Sequence, residues 1–373
     1  MMRRGKTIVA HLAPTLAAAL SLMAGSAAQA QSCASKGDFN DSHLHMTNYV
    51  QEGATPAKLL EIMGDRVPRA TLFGIPLQQE WSHTLTGDFA PTYYLESDAP
   101  LYYYSFTDAV IAEAFLALPP AKRARFDPMI TGFNPADMYA ADHVRRVLTT
   151  YPGVFEGIGE FTIHKEFVSS KTAGGPASLM DPALDRLLEF AGEVGLVVIL
   201  HNDIVMPFTK KDKERGYFEQ AKAVFARHPN TTIIWAHTGL GRIVQPPSQH
   251  LQFLEEILSD PKLKHVYFDI SWDEVAKYIV RNDQTVAATA DLLNRHPTRF
   301  LLGTDWVGPT DPAKYYSLYD SYKPLWAKLT PEASANVRLC NYERLFDQAR
   351  TRVRAWEKTN VAATRYPGAA SDP

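Results

Sequence analysis

Cysteine is scarce in this 373-residue chain: Cys33 and Cys340 are the only two. A zinc site built on cysteines is excluded by that count. One disulfide stays open to the pair in an oxidising compartment, where it would tie the N-terminus to a late helix. Concentrated positive charge is missing as well. The chain carries 38 Lys and Arg against 41 Asp and Glu, a net charge of −3, and no basic block. The footprint of a nucleic-acid partner is therefore absent. Beyond the N-terminal region no apolar stretch reaches the ~20 residues of a membrane span. There is no internal repeat, and no glycine-rich phosphate fingerprint follows the first strand-like run.

The N-terminus has a basic opening (Arg3, Arg4, Lys6), an apolar stretch shortened by Lys6 and His11, and the small-residue pattern Ala28-Gln29-Ala30. This is the pattern of a cleavable secretory signal over residues 1–30, which predicts a periplasmic or secreted protein. The Arg3-Arg4 pair leaves twin-arginine export open beside the general route. Removing residues 1–30 lowers Lys and Arg from 38 to 35 against 41 Asp and Glu, so the mature charge is −6. With 46% hydrophobic residues, the remainder can bury a large core.

Short apolar runs alternate with stretches of helical period. Eight runs read as strands: 38–45, 70–77, 128–134, 154–163, 196–203, 231–238, 265–271 and 299–306. Between them, 55–64, 135–152, 181–195, 217–229 and 283–297 read as helices, with Pro near several starts and Gly or His-Pro at several ends. Eight strands alternating with helices predict parallel βαβ units and a distorted (β/α)8 TIM barrel over 31–357. An extra helical segment follows residue 329, and 358–373 reads as a frayed tail. A doubly wound open sheet is the competing fold. Long connections follow the strands at 78–105 and 164–180, as in barrels whose strand-end loops carry function.

The polar residues fall in one place. His43 and His45 end strand 1, Glu160 lies on strand 4, and His201, His237 and Asp305 end strands 5, 6 and 8. A spacing of two puts His43 and His45 on one strand face. Taken singly, a strand-end histidine is ordinarily a hydrogen-bonded core residue, and Asp305 could be a turn residue. Charged groups in apolar strands are costly unless paired or metal-bound, however. Six with the same placement point to one metal site, suited to zinc, manganese or iron.

These residues lie in DSHLH (41–45), GIGEF (157–161), VVILHND (197–203), IIWAHTG (233–239) and LLGTDW (301–306), with YFDIS (267–271) between the last two. In that order they resemble the amidohydrolase superfamily, and most closely its amidohydrolase-related branch, family 2. NYERLF (341–346) is similar to a segment near the end of that branch. The resemblance implies a barrel with a divalent metal at its mouth, zinc first and manganese or iron as alternatives. It implies His43, His45 and Asp305 as first-metal ligands and His201 as a ligand on strand 5. His237 is implied as a second-metal ligand or a catalytic imidazole. Some relatives bridge two ions with a carboxylated lysine on strand 4. Here Glu160 stands there, similar to the glutamate of TatD-like hydrolases, and Lys165 lies beyond the strand. The site is then binuclear with Glu160 bridging, or mononuclear on His43, His45, His201 and Asp305.

The chemistry so implied is metal-dependent hydrolysis of an amide, ester or lactone in a small molecule. Asp305 would orient water and move its proton, and His237 would steady the oxyanion. A mononuclear, non-oxidative decarboxylase of an unsaturated or aromatic acid is the alternative. A non-catalytic metal-dependent binding protein is the second. Lys165 and Arg242 could hold a substrate carboxylate. Asp269 and Ser271, ending strand 7, could contact substrate or the groups behind the ligands. Trp81, Tyr103 and the other aromatics of 78–105 could wall the pocket or simply pack the loop. The expected partners are a small-molecule substrate and a second copy of the chain in a homodimer. No nucleic acid is expected, and no membrane after signal cleavage.

Overall fold

The computed structural model describes residues 33–48, 51–75, 80–81, 95–96, 106–165, 168–169, 177–210 and 215–361. Residues 1–30, where a signal is expected, Tyr103 and most of the aromatic loop lie outside these residues, as does the side chain of Trp81. Of the tail expected at 358–373, residues 358–360 belong instead to the last helix, and 362–373 lie outside the described residues.

Each of the eight apolar runs overlaps a strand, the one at 128–134 starting two residues early, at Phe126. These are β1 (Leu44–His45), β2 (Ala70–Leu72), β3 (Phe126–Ile130), β4 (Gly157–Thr162), β5 (Val197–His201), β6 (Thr232–Trp235), β7 (Val266–Asp269) and β8 (Phe300–Leu301). A short continuation of the last run, β9 (Trp306–Val307), pairs in parallel with β1. Strands β2 to β8 form one parallel sheet in consecutive order. Bridges Asp41↔Ala70 and His45↔Phe73 join β1 to β2, so the sheet curls round to its own beginning. A doubly wound sheet would reverse its order at a switch point. Here sequence neighbours are spatial neighbours throughout, and the fold is the distorted (β/α)8 barrel.

Helices follow the predicted pattern with local corrections. Pro56–Met63 is capped by Thr55, whose hydroxyl accepts from the Lys58 amide at 3.2 Å. Asp283–Arg295 opens with a reciprocal Asn282–Thr285 capping box. The helix expected at 135–152 begins only at Ala140. Asn134 and Asp137 accept from the amides two residues ahead, and those turns displace the first helical turn. Thr107–Leu116 and His250–Ser259 are helices the sequence pattern does not single out. The first, TDAVIAEAFL, has little polar face to mark a period.

Alternation along the strands separates two buried layers. Val198 and Leu200 face the helices, while Val197 and Ile199 join Met129, Ile234 and Leu301 in a second cluster. Tyr342, Leu345, Phe346 and Ala349 of the last helix, Asn341–Asn360, belong to that second cluster. This helix therefore plugs the end where the strands begin. Its arginines meet buried carboxylates there. Asp127 accepts from Arg69 Nη2 at 2.8 Å and the Tyr342 hydroxyl at 2.7 Å, and Glu156 accepts from Arg354 at 2.7 Å. Burial, then the charge of Asp127, pushes the Glu156 carboxyl up to about 8 despite Arg354 and Arg350.

The N-terminal segment is fastened to the same helix. Cys33 and Cys340 form a disulfide. Glu343 accepts from the amides of Ala34 and Ser35 at 2.9 and 2.6 Å. The segments after β2 and β4 also meet, because Glu80–Trp81 pairs with both Leu95–Glu96 and Val168–Ser169.

Two measurements check this account. Replacing both cysteines with serine is expected to lower stability by about 2–4 kcal/mol, read as a lower urea midpoint. Between the ordinary carboxyl value of 4.5 and about 8, folded Glu156 keeps a proton that the unfolded chain has released. Stability should therefore fall as pH rises through that window, by up to about 1.4 kcal/mol per pH unit. Glu156→Gln should flatten that part of the stability–pH curve.

Candidate metal centre

The ligand candidates stand above the apolar lumen layer, where the strands end. Along β5 the inward positions Val197 and Ile199 lead to His201. On β4 the register to β5 slips between Ile158 and Phe161, leaving one extra residue on β4. That bulge re-aims Glu160 toward the axis. Gly159 makes it possible: its φ is 120°, and a Cβ there would lie 2.4 Å from the Ile199 carbonyl. Gly303 has a different reason, since a Cβ would lie 2.5 Å from His43 Cβ. The strand-8 backbone must pass that close to β1.

Backbone strain concentrates at the mouth. His237, Thr238, Trp272 and Asp305 have φ of 55°, 53°, 76° and 57°. Such values are costly for residues with side chains and persist where the surroundings hold them. Asp41 is one of the holders. Its carboxylate accepts from the amides of His43 (3.1 Å) and Thr304 (2.8 Å), and from the hydroxyls of Thr304 (2.6 Å) and Tyr315 (2.8 Å). Burial lifts the Asp41 pKa to about 6 even so. The Asp305 amide in turn donates to the His43 carbonyl at 2.6 Å.

The imidazoles are oriented from behind. His45 Nδ1 lies 3.2 Å from the Gly74 carbonyl and is therefore its protonated nitrogen, which leaves Nε2 facing Asp305 Oδ1 at 3.1 Å and Glu160 Oε2 at 3.6 Å. His43 Nδ1 is 3.0 Å from Asp269 Oδ2. Its Nε2 is buried without a hydrogen-bond partner, 3.3 Å from Asp305 Oδ1 and 3.8 Å from Glu160 Oε2. His237 Nδ1 meets Ser271 Oγ at 2.8 Å, and its Nε2 lies 3.3 Å from Glu160 Oε1. His201 sits between Glu160 (2.6 Å) and Asp203 (3.3 Å). Phe73 packs edge-on against His43 and His45, at ring separations of 5.4 and 4.6 Å.

Electrostatics and donor chemistry fit a divalent cation. Burial opposes ionisation of Glu160, yet Lys165 and His201 hold it well below the usual carboxylate range. Burial likewise opposes protonation of His43, yet Asp305 and Asp269 raise its pKa well above the ordinary value. Donor atoms of His43, His45, Glu160 and Asp305 lie within 4.8 Å of one another, and those of Glu160, His201 and His237 form a second such group. Glu160 belongs to both. The unpartnered His43 Nε2 is what a ligand nitrogen looks like before it meets its ion, and imidazole with carboxylate suits zinc, manganese or iron.

All six predicted ligands thus meet in one volume. Asp269 is fully buried behind the histidines, bonded to His43 and to the His237 amide at 2.8 Å. Of the two places expected for it, against substrate or behind the ligands, this geometry fits the second. Its position is that of an orienting group. Lys165 and Arg242 line a cleft of about 500 Å³ together with His45, Glu160 and Asp305. Trp272 lines it too and has no place in the sequence reading. Its only signal there is a tryptophan directly after strand 7. Asp41 and Asp203 are likewise additions, each two residues from a ligand.

The family model described as Amidohydrolase matches residues 41–348. Among curated proteins no sequence matches the chain. A zinc-bound amidohydrolase from Burkholderia multivorans superposes with a TM-score of 0.50 at 14% identity, covering 83% of this chain and 99% of that one. A probable 2-pyrone-4,6-dicarboxylic acid hydrolase from Acinetobacter baumannii, with citric acid bound, gives 0.51 at 10% identity, with 83% and 99% covered. A 2,6-dihydroxybenzoate decarboxylase complexed with 2,6-dihydroxybenzoate gives 0.50 at 14% identity, with 84% and 99% covered. At these identities the likeness is one of fold.

If Asp269 orients His43, Asp269→Asn should weaken metal affinity by about 10- to 100-fold. Competition with a chromogenic chelator measures this. An unchanged affinity would remove Asp269 from the ligand support.

Proposed function

The chain belongs to the amidohydrolase family and is a metal-dependent enzyme of that superfamily, and on that premise we propose that it hydrolyses an amide, ester or lactone bond of a small molecule. The observation that carries the reading is the position of Glu160, whose carboxylate is shared by two ligand groups at the head of an open cleft. A shared carboxylate can bridge two ions held close together, the arrangement of a two-ion hydrolytic centre. His43, His45, Glu160 and Asp305 would hold one ion, and Glu160, His201 and His237 the other. Zinc is the first candidate.

A bound divalent ion supplies water acidified from a pKa of ~15.7 to near 7 and polarises the scissile carbonyl. The chain's own groups do the rest. Asp305 lines the cleft, and its carboxylate is kept ionised by His43 and His237 against the effect of burial. It is placed to take a proton from the attacking water and return it to the leaving nitrogen or oxygen. The His237 amide donates to the Asp269 carboxylate and Ser271 meets the ring at Nδ1, which fixes His237 so that its Nε2 faces the same space. If a single ion binds, Glu160 and His237 become available as acid–base groups, and the cleft reads instead as a decarboxylase site. Export to the periplasm or beyond belongs to the same reading. The signal-like N-terminus predicts it, and the Cys33–Cys340 disulfide is of the kind that persists in oxidising compartments.

Elemental analysis of protein purified without chelator tests the proposal. About two ions per chain are expected, lost in His43→Ala/His45→Ala. Chelation should abolish turnover of an amide, ester and lactone panel, and Asp305→Asn should lower kcat by about 10²- to 10⁴-fold. One ion with turnover of aromatic acids would move the assignment to decarboxylation. No ion after incubation with zinc or manganese would overturn it.

A further inference from the structure

A second cavity opens between the helices His250–Ser259 and Asp283–Arg295. Thr238, just past β6, and Ile270, just past β7, also line it. It measures about 460 Å³ and shares no lining residue with the metal cleft. Its walls include the buried side chains of Leu254, Ile279, Leu292, Leu293 and Phe300. Gln249, Gln284 and Ala288 are exposed and stand at its rim. Protein interiors carry few voids larger than a water molecule, because each void forfeits packing contacts. A space this large between two core helices has the dimensions of a small-molecule site.

Two polar side chains in these walls are held almost out of water, one on each helix. His250 is 8% exposed and Thr289 is 7% exposed. His250 Nε2 lies 2.9 Å from the Thr238 carbonyl and is therefore the protonated nitrogen. Nδ1 keeps its lone pair and has no hydrogen-bond partner among the described residues. The Thr289 hydroxyl has none among them either. Burial pushes the His250 pKa down to about 4, so the ring is neutral at ordinary pH. The Thr238 hydroxyl is already spent on the His237 carbonyl, at 2.6 Å.

We propose that this cavity is a second ligand site, which takes a neutral ring compound carrying a hydroxyl group. The hydroxyl donates to His250 Nδ1 and accepts from Thr289, and the ring packs among the apolar walls. Neutrality follows from the lining, which holds no Asp, Glu, Lys or Arg. An ion there would give up its water shell and gain no opposite charge. The metal cleft is the contrast, with Glu52, Glu160, Lys165, Arg242, Asp273 and Asp305 around it. A hydroxyl is donor and acceptor at once, so one group can satisfy both the imidazole and the threonine. A purely apolar guest would leave both unmet, at the cost of their desolvation. A rigid ring gives up less conformational freedom on binding than a flexible chain of equal size. Thr238, whose carbonyl His250 holds, directly follows His237, so the two sites are neighbours on one turn. The inference does not rest on the hydrolase reading and stands whichever reaction the metal centre performs.

Equilibrium dialysis of the full chain, metal-loaded and metal-free, against 2-naphthol, naphthalene and 2-naphthoate is the test. 2-Naphthol should bind at a single site whether or not metal is present. Naphthalene should bind about three- to tenfold more weakly, the net worth of one or two hydrogen bonds. 2-Naphthoate should not displace the naphthol. Thr289→Val should bring 2-naphthol close to naphthalene and leave naphthalene itself unchanged. Ala288→Trp, at the exposed rim, should block both. His250→Phe should act as Thr289→Val does, and if it fails to fold, Thr289→Val and Ala288→Trp decide. The proposal is overturned if 2-naphthol does not bind, binds no better than naphthalene, or is displaced by the naphthoate. It is also overturned if Ala288→Trp leaves binding intact. Binding that vanishes with the metal and ignores Ala288→Trp would put the naphthol in the metal cleft instead.

Discussion

Glu160 and Asp305 are carboxylates held where there is almost no water, and the mouth of the barrel is built around that constraint. A buried charge is tolerated only with partners placed to meet it. The partners here are four imidazoles and the Lys165 ammonium, brought in from different strand ends. Each must arrive within hydrogen-bond range, and the backbone bends to allow it. The bulge on β4 re-aims Glu160, and left-handed residues end strands 6, 7 and 8. Asp41 pins the first and last strands together beside the ligand candidates, so His43, His45 and Asp305 share one base.

The opposite end of the barrel solves the same problem with other chemistry. Asp127 and Glu156 are buried there too, Glu156 keeping its proton up to about pH 8, and the groups that meet them include guanidiniums, two of them from the last helix. Between the two polar ends lies the layer of Val197, Ile199, Ile234 and Leu301. The division matches the general rule for barrels, in which the strand-end face carries function and the strand-start face carries stability. Guanidinium is always charged and donates in a fixed fork, which suits a permanent seal. Imidazole can give up its proton and offer a lone pair, which suits a site that must bind.

Much of this was legible in the residues. Period and punctuation located all eight strands, because apolar runs between helical stretches reflect burial on both faces. The six ligand candidates were legible because charge is so improbable in such runs. Other features were not, since they depend on contact between distant segments. Nothing near Asp269 says that its carboxylate turns to His43, 226 residues away. Trp272 looks like any strand-flanking aromatic until Lys165 and Arg242 are seen on its ring. The disulfide was open in the sequence because spacing along the chain carries no information on spatial separation. Helix Ala140–Thr150 began late because side chains of Asn134 and Asp137 competed for the amides that a helix would use.

The bond between Cys33 and Cys340 also bears on the order in which the protein can be made. It joins residues 307 positions apart, and β1, just after the first of them, pairs with β9 near the end of the chain. During synthesis the DSHLH segment leaves the ribosome early but has no neighbour on one side until residues 306–307 exist. Contacts of such long range form late and slowly. The first two metal-ligand candidates to be translated are therefore among the last to be seated. An ion captured by the nascent chain would meet an incomplete site.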